Sequence, residues 1–132
     1  MLQIADAEKH YQDIASEASR LAAHNFRRLW VRTEADDGVS ATGLYFQGEN
    51  GKHYFLASGL ESLDAAMYRL REAQSAANAE AYAIAIFELS ATGQFKLDYS
   101  YHSLEGSVGD WERAQEWERN VFGKPENLTV IE

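Results

Sequence analysis

Metal chemistry would need histidines, acidic residues or cysteines at ligand spacing. The chain has four histidines, namely His10, His24, His53 and His102. No two of them have a ligand spacing and there is no His-Glu-x-x-His motif. Because there is no cysteine, disulfides and thiolate sites are excluded. Asp36-Asp37 and Asp110/Glu112 lack a calcium-loop pattern, and turn and capping roles suit them better. The sequence therefore predicts no metal site.

The segment Gly48-Glu-Asn-Gly51-Lys52 superficially resembles a phosphate-binding loop. A Walker A loop also needs a glycine five positions before its second glycine and a Ser or Thr after its lysine. Those two positions hold Phe46 and His53, so a hairpin turn is the better interpretation. A Gly-x-Ser-x-Gly elbow is also absent. We expect no cofactor and no enzymatic activity, although carboxylates that meet only in the folded chain stay open as an alternative.

The charge of the chain argues against nucleic acid and membrane surfaces as partners. There are 21 acidic and 12 basic residues among 132, a net charge of −9. Such a field repels phosphates and attracts basic proteins. Phe95, Tyr99 and Tyr101 could imitate a base-stacking strand, but without a basic field they more plausibly pack under a helix. The excess of acid is greatest in residues 105–132.

Three segments of the chain carry a helical pattern, and the middle one follows a capping box at Ser58-Gly-Leu-Glu61 and carries Leu63, Met67 and Leu70. Residues 4–21 place apolar side chains three or four positions apart, at Ile4, Ala7, Tyr11, Ile14, Ala18 and Leu21. This stripe fits packing on a sheet, and it is short for a coiled coil. A C-terminal helix follows a capping residue at Asp110 and ends at Gly123, with Pro125 just beyond.

The other segments alternate or form apolar runs, as strands do. Leu29, Val31 and Thr33 alternate with polar or aromatic neighbours, and two hairpin turns lead to further strands. The run 81–89 is apolar on both faces, which predicts a central strand. Residues 95–101 predict a half-buried strand with Phe95, Leu97, Tyr99 and Tyr101 on its inner face, and residues 128–131 could add an edge strand.

The predicted fold class is therefore α+β. We expect an antiparallel sheet of about five strands and three helices, in the order α-β-β-β-α-β-β-α, with the helices mainly on one face. Residues 1–132 should form a single domain. Asp6 and Glu8 are incompatible with a signal peptide, and no apolar run approaches the roughly 20 residues that span a bilayer. The expected location is the cytoplasm.

From about residue 10 to residue 123 the pattern resembles the YezG-like immunity or antitoxin proteins of bacterial polymorphic toxin systems. The features that carry the resemblance keep their order and spacing: Trp30-Val-Arg-Thr-Glu34, Tyr45-Phe-Gln-Gly-Glu-Asn-Gly51, Leu70-Arg-Glu72, Thr92-Gly-Gln-Phe-Lys-Leu-Asp-Tyr-Ser-Tyr101, Glu112-Arg113, Trp117 and Phe122-Gly123. The chain departs from the family at Ala114, where a second basic residue is usual, and at Ser100, His102 and Ser103, where acidic residues are usual. These departures concern the surface that would choose a partner.

The resemblance implies a protein that binds and neutralises one cognate toxin C-terminal domain, protecting the producing cell. In contact-dependent growth inhibition and LXG-type systems that domain is often a nuclease, which is basic around its cleft. An acidic inhibitor would be attracted to such a cleft, while aromatic anchors would slow dissociation. The residues that we predict to contact the toxin are Glu34, Asp36, Asp37, Glu49, Asp98, Glu105, Asp110, Glu112 and Glu116, with Trp30 and Trp111 as anchors.

One alternative is an acidic, non-catalytic module that binds or scaffolds some other basic protein. A homodimer formed through the apolar stripe of residues 4–21 would be one version of it. A further alternative, an enzyme with a carboxylate pair, would need a deep pocket with convergent polar groups.

Overall fold

The computed structural model describes residues 4–36, 39–56, 58–76, 81–101 and 110–131. The helices and strands follow one another in the predicted order, with one strand added at the end. They are α1 (Ile4–Leu21), β1 (Arg28–Asp36), β2 (Val39–Gln47), β3 (His53–Leu56), α2 (Glu61–Ala76), β4 (Ile84–Ser90), β5 (Phe95–Ser100), α3 (Asp110–Phe122) and β6 (Leu128–Ile131), with a short 3-10 turn at Pro125–Asn127.

The strands form one six-stranded sheet in the order β5-β4-β1-β2-β3-β6. Every neighbouring pair is antiparallel except β3 and β6, which are parallel. The fold is α+β, as predicted, with six strands where about five were expected. The sixth is the apolar segment 128–131, which the sequence had indicated as an optional edge strand.

Strand β1 is the most buried strand. The run 81–89 forms an interior strand, as predicted, because β4 lies between β5 and β1, but only one face of β4 is fully buried. Seven consecutive residues of β1 are buried, because it has a neighbour on each side and helices on both faces. Strand β4 lies second from the edge and alternates between buried and half-buried residues. Ile84 and Ile86 are its half-buried apolar residues on the less covered face. The apolar run thus marked an interior strand correctly but not the degree to which its two faces are buried.

One face of the sheet, here called the helix-pair face, is covered by α1 and α2. Ile14 and Ala18 of α1 are fully buried there against Leu29 and Val31 of β1 and Leu70 of α2. The predicted apolar stripe of α1 is therefore used inside the protein. A homodimer formed through that stripe is incompatible with this burial.

The opposite face, here called the α3 face, carries the third helix. Arg113 near the start of α3 contacts Glu34, and Phe122 at its end contacts Trp30, so α3 runs antiparallel to β1. The helix ends where predicted. Gly123 has a φ of +85° and donates its N–H to the Arg119 carbonyl at 3.0 Å, a conformation that favours glycine. Two of the three helices thus share one face.

Strand β5 forms one edge of the sheet and corrects the prediction for residues 95–101. Phe95 stacks on Phe87 with ring centroids 5.6 Å apart, and Tyr99 stacks on Tyr82 at 5.7 Å. However, Phe95 is 49% exposed and Tyr101 is 42% exposed. Phe95 also lies 5.3 Å from Tyr11 of α1, measured between ring centroids, so this is the predicted inner face, but its two ends are only partly covered.

The glycine-rich segment 48–51 is a hairpin turn, as predicted. Gly51 donates to the Gly48 carbonyl and Gly48 donates to the Lys52 carbonyl, both at 2.9 Å. Among the described helices, none combines the length and the apolar character that crossing a bilayer requires.

Candidate interaction surface

Arg32 and Glu34 of β1 point to the α3 face and form a buried ionic network there. Arg32 Nη2 donates to Glu34 Oε2 at 2.7 Å. Arg113 of α3 donates to both oxygens of Glu34, with Nη2 2.6 Å from Oε1 and Nε 3.1 Å from Oε2. The side chains of Arg32 and Glu34 are 8% and 6% exposed. The carboxylate of Glu34 therefore joins β1 to α3 through Arg113. Arg32, on the same strand as Glu34, donates a further hydrogen bond to this carboxylate.

The environment of Glu34 favours its charged form. Burial by itself would raise the pKa of Glu34, but the hydrogen bonds from Arg113 and Arg32 outweigh burial and lower that pKa below its ordinary value. A carboxylate with a lowered pKa and its lone pairs already engaged is a poor general base. The role that this geometry supports is a structural cross-link.

Beside this network, an aromatic cluster fixes the C-terminal half of α3. Phe122 lies 5.0 Å from Trp30 and 5.4 Å from Tyr45, measured between ring centroids. Trp117 lies 5.0 Å from Tyr45. Trp30 is 7% exposed, and its Nε1 donates to Glu88 Oε1 at 2.7 Å. Trp30 is therefore a core residue with a satisfied N–H, and it does not present a free anchor.

Burial in this cluster shifts the pKa of two further polar side chains, Tyr45 and His53. The hydroxyl of Tyr45 donates to Glu118 Oε2 at 2.6 Å. Burial first, and then that hydrogen bond, raise the pKa of Tyr45, so the phenol stays protonated. His53 packs 5.1 Å from Phe122, and burial lowers its pKa, so the neutral ring is favoured.

Two open clefts flank the outer strand β6. The first, here called the α3 cleft, has a volume of about 350 Å³ and lies between α3 and strands β3 and β6. Its lining includes Phe55, Leu128, Val130, Arg119 and Lys124. The sheet side of this cleft is apolar, and both cationic side chains are exposed.

The second, here called the hairpin cleft, has a volume of about 330 Å³ and lies on the helix-pair face. Phe46, Tyr54 and Ile131 line it together with Glu49 and Asn50 of the β2–β3 turn. The rings of Phe46 and Tyr54 are stacked with their centroids 5.2 Å apart. The two clefts thus lie on opposite faces of the same edge.

Four of the predicted contact residues come together on the α3 face. Side chains alternate along a strand, so Asp36 of β1 shares the face of Glu34, and Asp98 pairs through Ile86 with Arg32. Glu112 and Glu116 lie one turn apart on α3, and all four of these acidic residues are exposed. We call Asp36, Asp98, Glu112 and Glu116 the acidic surface. Lys96 lies 3.6 Å from Asp98 at its edge.

The remaining predicted contact residues do not join that surface. Glu34 and Trp30 are buried, so neither side chain is the exposed group that the sequence suggested. Glu49 is exposed but lies in the β2–β3 turn, at the other end of β1 from Asp36, about 26 Å away at the rise of a strand. Asp37 and Glu105 lie outside the described residues. So do the side chains of Asp110 and Trp111, whose backbone forms the first turn of α3.

The sequence missed the partners that cross between distant elements. No local pattern indicated that Arg113 contacts Glu34, 79 positions away. Tyr45 and Glu118 are 73 positions apart. The one local signal was the alternation of Arg32 and Glu34 beside Trp30 in a strand that is otherwise rich in apolar residues. Charged residues in such a strand indicate a covered polar face.

Within the described residues, no group of three or more His, Asp or Glu side chains is placed to hold a metal ion. The arrangement defines an α+β protein whose polar interior holds α3 on the sheet and whose acidic residues line α3 and the neighbouring strands. No protein-family model matches this chain, and no curated protein matches it.

Proposed function

We propose that the chain is a cytoplasmic immunity protein, an antitoxin that binds and neutralises a cognate bacterial toxin domain. The observation that carries the proposal is the acidic surface, where four exposed carboxylates share one face with α3. Together with the net charge of −9, this surface favours a basic protein partner. The resemblance of residues 10–123 to YezG-like immunity proteins points to the same class of partner.

The interior supports a binding role in preference to a catalytic one. Glu34 is saturated by hydrogen bonds from two arginines, and Tyr45 and Trp30 each donate to a carboxylate. These groups are engaged with one another, so their chemistry stabilises the fold. The carboxylates that remain accessible are those of the outer surface. We infer that the protein acts by covering a basic region of its partner.

A nuclease domain fits this chemistry best among toxin classes. Nucleases bind phosphates through basic clefts, and an acidic surface can compete for such a cleft or cover its flank. Long-range attraction would speed association, so binding should weaken as salt rises. The proposal therefore includes a strong dependence of the association rate on ionic strength.

The first test uses the toxin domain encoded beside this chain. Cells that express that domain alone should stop growing, and cells that also express this chain should survive. Calorimetry on the purified pair should give tight 1:1 binding that weakens between 50 and 500 mM salt, a range that brackets the change of Debye length from about 14 to 4 Å. A neighbouring product that is neither toxic nor bound would refute the proposal.

A pair of matched variants tests the acidic surface itself. Glu112→Lys with Glu116→Lys should slow association and weaken binding by at least about 10-fold, because the charges near the partner are reversed. Glu8→Lys with Glu72→Lys makes the same change in net charge on exposed residues of α1 and α2. This control should weaken binding by less than about 3-fold. Equal effects would mean that only the total charge matters.

The alternative, an acidic module that scaffolds some other basic protein, rests on the same surface. It predicts binding without toxicity of the partner. The growth assay therefore separates the two functions, and the charge variants apply to both.

A further inference from the structure

Strand β6 forms a short edge of the sheet, four residues long, without the charge or proline that protects many edges. It pairs with β3 on one side, and no described strand pairs with its other side. Its sequence, Leu-Thr-Val-Ile, contains no charge and no proline, the features that commonly protect an edge. Val130 is 57% exposed and Ile131 is 36% exposed. An uncharged apolar edge with open backbone groups is a template for one more strand.

The two faces of this edge offer different environments to such a strand. Val130 faces the α3 cleft and Ile131 faces the hairpin cleft, because they are neighbours in a strand. An added strand would alternate in the same way. Its side chains would enter the α3 cleft at every second position and the hairpin cleft at the positions between.

The α3 cleft suits a large apolar side chain. Phe55, Leu128 and Val130 give it an apolar surface. Arg119 and Lys124 also line it, while Glu118, the acidic residue among its described lining residues, accepts a hydrogen bond from the Tyr45 hydroxyl; the two cations outnumber it and would repel a lysine or arginine placed there. Burial of an aliphatic or aromatic residue against this surface is favourable because it removes apolar area from water.

The hairpin cleft suits a lysine or arginine. Glu49 is the charged residue among its described lining residues, and the stacked rings of Phe46 and Tyr54 lie beside it. The methylene groups of a basic side chain can pack on such rings while its cation approaches the carboxylate. The two clefts therefore favour different side chains. The α3 cleft disfavours a cation, whereas the hairpin cleft attracts one.

We propose that β6 receives an extended segment of the partner, which adds a seventh strand to the sheet and alternates apolar with basic residues. Apolar side chains fill the α3 cleft and basic side chains fill the hairpin cleft. This inference rests on the proposed function, because a basic toxin domain is the source of the segment. The added strand would also bring the partner to Glu49, a predicted contact residue that lies far from Asp36.

A second copy of the chain fits this edge less well. Its own β6 would present Thr129 and Ile131 to the hairpin cleft, and neither carries the charge that Glu49 would pair with. Two chains with a net charge of −9 also repel each other. Charge complementarity therefore favours a basic partner segment over self-association.

The experiment titrates the adjacent toxin domain into the wild-type chain and into single variants. Val130→Lys should weaken binding by at least about 30-fold, because it places a cation beside Arg119 and Lys124 and removes an apolar contact. Val121→Lys is the matched control, since Val121 is an exposed valine of α3, 41% exposed, away from β6. It should change the dissociation constant by less than about 3-fold.

A second variant and a second readout test the alternation. Glu49→Lys should weaken binding by at least about 10-fold, whereas Glu72→Lys on α2 should have little effect. Hydrogen exchange of the complex should show new protection of amides in β6, since an added strand bonds to the open edge. Protection confined to α3 would contradict strand addition.

The outcomes separate this inference from the proposed function. If the wild-type chain binds the toxin domain and Val130→Lys and Glu49→Lys bind equally well, the inference is overturned and the proposed function stands. If the wild-type chain does not bind, the proposed function fails and the inference fails with it. If sedimentation shows a dimer of the free chain that Val130→Lys dissociates, β6 pairs with a second copy, and the partner segment is excluded.

Discussion

Helices cover both faces of the sheet, but different interactions hold them in place on each face. On the helix-pair face, α1 and α2 cover fully buried aliphatic and aromatic residues such as Leu29, Leu63 and Phe87. On the α3 face, a single helix is held by the carboxylate of Glu34 and by a small aromatic cluster around Tyr45. Apolar packing is spread over many contacts, whereas the second arrangement depends on a few specific pairs. The difference suggests that α3 can be loosened without unfolding the rest of the chain.

The largest effect is expected from a cavity on the helix-pair face. Phe87→Ala should lower the free energy of unfolding by about 4 kcal/mol, because it removes a fully buried ring from the main core. Phe95→Ala is the matched control. Phe95 stacks on Phe87 but is 49% exposed, so about 1 kcal/mol is expected. Denaturant unfolding followed by far-UV circular dichroism would measure both.

Equal losses for Phe87→Ala and Phe95→Ala would mean that the edge strand is as important as the core. The contrast between the two faces would be contradicted if Phe87→Ala cost no more than Glu34→Gln, since the apolar face would then contribute no more than one ionic cross-link.

A smaller but more local effect is expected on the α3 face from Glu34→Gln. The change leaves Arg32 and Arg113 close together without the carboxylate that neutralises them, which should cost about 3 kcal/mol. Trp30 and Trp117 both belong to the aromatic cluster under α3, so tryptophan fluorescence reports on this face. We expect the fluorescence transition to precede the circular dichroism transition, because α3 should detach first.

Asp98→Asn is the control for Glu34→Gln. Asp98 is also a carboxylate near a cation, but its side chain is 63% exposed, and less than about 0.5 kcal/mol is expected. Coincident transitions in Glu34→Gln would show that α3 and the sheet unfold as one unit, and α3 could then not be loosened separately.

The contrast between the faces also explains how far the sequence could predict the fold. The stripe of α1 and the alternation of β1 come from local spacing, and both elements formed as predicted. The residues of the acidic surface could be predicted to be exposed because charged side chains usually lie in contact with solvent. The burial of Glu34 could not be predicted, since it depends on Arg113, 79 positions away. Likewise, β1 became the central strand through pairings with β2 and β4, which no local pattern specifies.

Removing the hydroxyl of Tyr45 tests a second polar contact between the sheet and α3, the hydrogen bond to Glu118. Tyr45→Phe keeps the stacked ring but removes the donor to Glu118, so a loss of about 1.5 kcal/mol is expected for a bond to a charged acceptor. Tyr54→Phe is the control, because the Tyr54 hydroxyl accepts an exposed hydrogen bond from Asn50. It should cost less than about 0.5 kcal/mol. A double variant with Glu118→Gln should lose little beyond Tyr45→Phe, and full additivity would argue against a direct pair.

The smallest expected effect concerns pH and His53, which packs beside Phe122 under the end of α3. Burial lowers the pKa of His53 in the folded protein below the ordinary 6.5, so between these two values the unfolded chain binds the proton more readily. Stability that is fully present above pH 6.5 is therefore lost as the pH falls toward the folded pKa. The contribution of Glu34 to stability has the same sign at lower pH, because its lowered pKa gives stability above pH 4.5 that is lost in more acidic solution.

Unfolding measured from about pH 7.5 to 5 separates the contribution of His53 from that of Glu34. His53→Gln should flatten the pH dependence over that range. If His53→Gln kept the full slope, the titrating group would lie elsewhere, and the end of α3 would be less closed than the aromatic contacts indicate.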